Sequence, residues 1–129
     1  MFISNLTTTQ QSIFLTLANN LIQSDGILAP QEAVLIASIK SQMPSNITAA
    51  DYTLDSLANF FPGKKEKAST LLELIGLGHA DDDFDASEKD FIKQICTSFK
   101  ITSDELNEMQ SWVVRQLSIV RQANEFMED

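Results

Sequence analysis

Two short acidic stretches, residues 25–32 and 81–88, hold the side chains with the clearest chemical potential. In and just after the second, Asp81, Asp82, Asp83, Asp85, Glu88 and Asp90 place six carboxylates within ten residues. Like charges this close repel, so such a cluster must be well solvated, partly protonated or neutralised by a cation. Carboxylate oxygens are hard ligands, and an all-oxygen set favours Ca²⁺ or Mg²⁺. The candidate metal ligands are Asp81, Asp83, Asp85 and Glu88. Asp25 and Glu32 would form a weaker second site or join the first. An EF-hand is excluded: counting from Asp81, the third and fifth loop positions are Asp83 and Asp85, but the sixth is Ala86 instead of glycine and the twelfth is Ile92 instead of a bidentate glutamate. A plainer account competes. Acidic residues in the first turn of a helix are stabilised by its dipole, which accounts for Glu32, Glu88 and Asp90 without any ion. Asp25 before Gly26 is ordinary turn chemistry.

Other reactive residues are few. His79, two residues before the cluster, is a conceivable nitrogen ligand, or else a partner for the negative end of a helix dipole. Cys96 is the only cysteine and falls on an apolar helical face with no adjacent base, so it reads as a core residue. One histidine and one cysteine without a motif around either support no nucleophile–base arrangement. Gly76-x-Gly78 sits late in a helix with no strand before it, and so is no phosphate loop. The expectation is a non-enzyme. Lys64, Lys65 and Lys67 read as a solvated basic patch, and Trp112 and the phenylalanines as core.

Nine Lys and Arg against 18 Asp and Glu give a net charge of −9. Such a surface repels nucleic-acid phosphates and anionic lipid, and attracts cations or basic partners. No apolar run approaches the roughly 20 residues of a membrane span, and the first residues lack the pattern of a signal peptide. A lone cysteine allows no internal disulfide. Composition thus predicts a soluble, cytoplasmic protein that binds no nucleic acid and does not insert in membranes.

Helical spacing dominates, and no convincing strand is found. A first helix is expected over residues 9–23, with Thr7, Thr8 or Thr9 as cap and Gly26 after its end. A second starts at Pro30, carries Val34, Leu35, Ile36, Ile39 and Met43, and stops at Pro44. A third is capped by Thr53, and a fourth spans residues 65–80, where Gly76 and Gly78 either permit close packing or mark fraying. Ser87 is expected to cap the fifth. Thr102 and Glu105 form a capping box for a sixth that runs to about residue 127, its inner face using Leu106, Met109, Trp112, Val113, Leu117 and Val120.

An offset of 56 residues aligns two units: Asp25 with Asp81, Leu28 with Phe84, Glu32 with Glu88, Leu35 with Phe91, Ile36 with Ile92 and Ile39 with Ile95. Upstream, Leu15, Ala18 and Leu21 meet Leu71, Leu74 and Leu77. The expected fold is all-α: one domain over residues 1–129, a compact bundle of about six helices built from two similar helix–acidic turn–helix units. The pattern Asp-Gly-x-apolar-x-x-x-Glu resembles the signature of the tellurite-resistance TerB-like family, an all-helical family that carries it once per half. Asp25-Gly26-Ile27-Leu28-Ala29-Pro30-Gln31-Glu32 matches in full. Asp81-Asp82-Asp83-Phe84-Asp85-Ala86-Ser87-Glu88 lacks the glycine and substitutes carboxylates. The stretch from Phe99 through Lys100, Ile101 and Thr102 to Leu106 is similar to the family's turn after the second copy. The resemblance covers residues 9–120, with no distinctive match over 44–65. It implies a role around metal or oxyanion stress, in a family whose biochemical activity is poorly defined. The alternative is a helical interaction module, its acidic face docking a basic protein partner, or a homodimer.

Overall fold

The computed structural model describes residues 2–23, 30–79 and 84–128, excepting the side chains of residues 31, 32 and 35. Among the described residues a 3-10 turn, Ile3–Asn5, precedes six helices: α1 (Thr8–Gln23), α2 (Pro30–Ser41), α3 (Leu54–Phe60), α4 (Lys64–Gly78), α5 (Ala86–Phe99) and α6 (Ser103–Met127). The architecture is all-helical, as the spacing predicts. The expected Gly26 after α1 lies outside the described residues.

Each start has a local cause. Thr7 caps α1: its hydroxyl accepts from the Gln10 N–H (3.2 Å), while the Gln10 carboxamide accepts from the Thr7 N–H (2.9 Å). Pro30 opens α2, where its missing N–H is no loss. Thr53 and Ser56 cap α3 reciprocally, and Thr102 and Glu105 do the same for α6. The expectation for α5 needs correction. Its cap is Asp85, whose carboxylate accepts from the Glu88 N–H at 2.8 Å. Ser87 lies inside the first turn and donates its hydroxyl to the same Asp85 oxygen at 2.8 Å. An anionic acceptor at the positive end of the helix satisfies the amide and gains from the dipole, which a serine cannot match. At the other end of α5, Lys100 takes the left-handed conformation (φ 59°), and the Ile101 and Lys100 N–H groups close on the Cys96 and Thr97 carbonyls.

Helix α4 is the centre of the molecule. It packs against α1, α2, α5, α6 and the 3-10 turn, and no residue from 66 to 79 is fully exposed. Leu71, Leu74, Ile75 and Leu77 meet a core that includes Phe14, Leu17 and Leu21 of α1 and Ile92 and Ile95 of α5. Helix α3 lies on α5, where the rings of Phe61 and Phe99 are 5.6 Å apart. Truncating any of these fully buried side chains to alanine would cost about 2–5 kcal/mol. Of the positions that the 56-residue offset pairs, Leu15 and Leu71, Leu21 and Leu77, and Ile39 and Ile95 are buried in both members, whereas Ile36 is only partly buried and Ile92 fully.

Two irregular segments are tied down by polar contacts. The 3-10 turn buries Ile3 and Leu6, and the Gln11 carboxamide donates to the Leu6 carbonyl (3.1 Å). Between α2 and α3, the Ala50 N–H donates to the Ser12 carbonyl (3.0 Å), the Thr16 hydroxyl to the Ala50 carbonyl (2.6 Å) and the Asn20 amide to the Tyr52 hydroxyl (3.0 Å).

Several expected core residues are outside. Val34 on α2 is exposed, and so are Phe60 and Phe126. On α6 Leu106 and Val113 are buried, but Trp112 stands at the edge and Val120 is half exposed. For Val120 and Phe126 the reason is length. Helix α6 has 25 residues and the central α4 only 15, a difference of about 15 Å at 1.5 Å per residue. Its last turns overhang the bundle: from 118 to 128 every residue but Ala123 is exposed.

Candidate functional site

The structure places two of the six candidate ligands in full, and their roles differ. Asp85 is the cap of α5, its carboxylate at the surface end of the helix and engaged by the Glu88 N–H and the Ser87 hydroxyl. Glu88, one turn on, is 1% exposed. It lies on the stripe Glu88, Ile92, Ile95, Phe99, spaced by four, three and four residues, and therefore points into the bundle with them. That spacing was legible in the sequence. The first-turn position invites a solvated reading, whereas the apolar stripe marks the carboxylate as buried. Asp25, Asp81 and Asp83 lie outside the described residues, as do Leu28 and Asp82. Glu32 is the third residue of α2, with its side chain outside the described set. Among the described residues no three His, Cys, Asp or Glu side chains converge in a way that would hold a metal ion.

Neighbouring residues shape the ground under Glu88. Gly78, at the end of α4, is buried, and a Cβ built there would meet Cε2 of Phe84 at 2.6 Å and Oε2 of Glu88 at 3.4 Å. The absent side chain is what lets the start of α5 rest on α4. Gly78 thus fulfils the close-packing reading, while Gly76 faces open space. Phe84 stacks at a tilt on His79 (centroids 4.5 Å apart), and the Lys89 ammonium stands 5.9 Å from the Phe84 ring. His79 ends α4, as the dipole reading expects. A carboxylate taken out of water costs several kcal/mol unless a proton, a cation or polar neighbours offset it. The start of α5 therefore presents one half-buried capping carboxylate and one buried carboxylate, with an aromatic ring between histidine and lysine.

Cys96 is buried on the inner side of α5 and its thiol is pushed up to about 11, first by burial and then by the nearby Glu105 carboxylate. It is a core thiol, as its position predicts, and has no nucleophilic character. A second polar feature escaped the sequence reading. Glu73, half-buried on α4, accepts from the Phe2 N–H at 2.7 Å and pins the N-terminal segment to the central helix. A lone glutamate in an amphipathic helix gives no signal of such a partner 71 residues away.

With this geometry in view, the chain can be placed. The family model described as tellurite resistance protein TerB matches residues 16–111, and the chain belongs to that family. No characterised protein and no solved structure gives a significant match. Among the described residues, no helix is long and apolar enough to cross a membrane.

Proposed function

We propose that this TerB-family protein is a non-enzymatic binder of a divalent cation, Ca²⁺ or Mg²⁺, in a response to metal or oxyanion stress. The ligands would come from Asp81, Asp83, Asp85 and Glu88, with Asp25 and Glu32 contributing from the first acidic stretch. The observation that supports this reading is the burial of Glu88 at the start of a helix that follows three consecutive aspartates. A buried carboxylate beside excess negative charge is one that a hard cation can stabilise. Asp85 then serves as both cap and ligand, since a carboxylate engaged through one oxygen retains lone pairs on the other.

Titration calorimetry with Ca²⁺, Mg²⁺, Mn²⁺ and Zn²⁺, paired with thermal melts, tests the proposal. A bound ion at 100 times its Kd raises stability by about 2.7 kcal/mol, and Glu88→Gln should abolish most of that gain. Absence of heat and of any melting shift at millimolar ion would sink the reading. The interaction-module reading draws support from a different feature, the apolar surface exposed on the far half of α6, and does not require the carboxylates.

A further inference from the structure

The overhanging half of α6 is amphipathic although no described part of the chain covers its apolar side. Trp112, Ile119 and Phe126 recur every seven residues and so form one line along the helix, with Val120, Ala123 and Met127 beside it. Ile119 is 63% exposed, Phe126 90% and Met127 78%. This stretch lies past residue 111, where the family match ends. A helical stretch of roughly ten residues whose apolar side meets no described residue is marginal in water and persists by burying that side.

A recess lies beside the base of the same line. Helices α2, α4 and α6 and the N-terminal segment enclose a cavity of about 190 Å³, with Phe2 and Trp112 among its walls together with Ile39 and Leu117. Gly76 also lines it, and a Cβ there would meet nothing within 4 Å, so the recess reaches the backbone of the central helix. The molecule therefore carries an aromatic knob at Phe126 and an aromatic-walled hole at Trp112, fourteen residues apart on one helical line.

We propose that this line is the interface of a twofold homodimer, with the two α6 helices crossing antiparallel about Ile119. Ile119 is seven residues from both Trp112 and Phe126. A twofold axis there sets each Phe126 against the partner's Trp112 and its recess, and does so twice, as an isologous interface requires. Offset or tilted aromatic pairs add about 0.5–1.5 kcal/mol beyond the area they bury. Trp112, Ile119, Val120, Phe126 and Met127 are all more than a third exposed and lie on one side of the helix, a contiguous apolar face of the kind that marks an interaction surface. Charge agrees. The chain as a whole is −9, but residues 112–129 hold Arg115 and Arg121 against Glu125, Glu128 and Asp129, a local balance of −1, so pairing here apposes little of the acidic charge. The inference is independent of the cation site.

Sedimentation equilibrium of the full chain should show a dimer at tens of micromolar, and Phe126→Asp should weaken association at least tenfold while the chain still melts cooperatively. Orientation is read by cross-linking in a Cys96→Ala background with a short bis-maleimide. Ile119→Cys should link to itself. Trp112→Cys and Phe126→Cys should each stay unlinked alone and link to one another when mixed. A wild-type chain that stays monomeric at several hundred micromolar would overturn the proposal. So would efficient self-linking of Trp112→Cys and Phe126→Cys separately, which would make the helices parallel.

Discussion

Phe84 rests on Gly78 so closely that a single added carbon at position 78 would stand 2.6 Å from the ring. That contact sets the start of α5 against the end of α4. Gly78→Ala should therefore destabilise the protein by about 1–3 kcal/mol, because neither the ring nor the helix backbone yields cheaply. Gly76→Ala, two residues away, should go the other way by about 1 kcal/mol, as the new methyl enters open space and the helix gains propensity. Urea denaturation of the pair separates the two effects, and equal losses at both sites would contradict the packing described.

Thr70 is fully buried in the central helix, and its hydroxyl has no hydrogen-bond partner among the described residues. Such a group carries a desolvation cost of about 1–3 kcal/mol. Thr70→Val keeps the shape and removes the polar atom, so the midpoint of chemical denaturation should rise. An unchanged or lowered midpoint would mean that the hydroxyl is satisfied in solution.

The Glu105 carboxyl is held below its ordinary value of 4.5, first by the Thr102 backbone N–H and then by the Thr102 hydroxyl. A group whose value is lowered by folding contributes stability that is present above its unfolded value and is lost as pH falls through the lower folded one. Melting temperature should thus begin to drop below about pH 4.5 through this cap. Glu105→Gln retains a capping oxygen and should flatten that part of the curve. The same slope in both proteins would assign the acid sensitivity to other carboxylates.

Cys96 should be inert while the chain is folded. With its thiol raised to about 11 against an ordinary 9.0, the unfolded chain loses the proton first, and stability falls as pH climbs between those values. At pH 8 the rate of disulfide-exchange labelling should follow global unfolding and rise by orders of magnitude in denaturing urea. Rapid labelling in native buffer would show that α5 opens locally.

Periodicity locates all six helices, and turn chemistry marks four of their starts: the threonines at 7 to 9, Pro30, Thr53, and Thr102 with Glu105. Helix α4 starts after Gly63 with no side-chain cap, and α5 is capped by Asp85 instead of Ser87. Sequence spacing shows which residues share a face but not how far the neighbouring helix extends, so Val120 reads as core although the bundle ends before it; Trp112 sits at the margin of the inner face, next to the buried Val113. Val34 was likewise drawn inward, although the 56-residue offset aligns it with the exposed Asp90. At the candidate site the residue types are legible, and so is the inward direction of Glu88, which shares a face with Ile92, Ile95 and Phe99; that Asp85 instead of Ser87 caps the helix is not. The tie between Glu73 and the Phe2 amide has no local signature at all.

The placement of α4, touched by four helices and the N-terminal turn, bears on how the molecule comes apart. Its amides can reach deuterated solvent only when those neighbours leave, so no smaller opening exposes them. Proton exchange along residues 70–77 should consequently be the slowest in the chain, and its free energy should equal that of complete denaturation. The central helix thus reports, amide by amide, the stability of the whole.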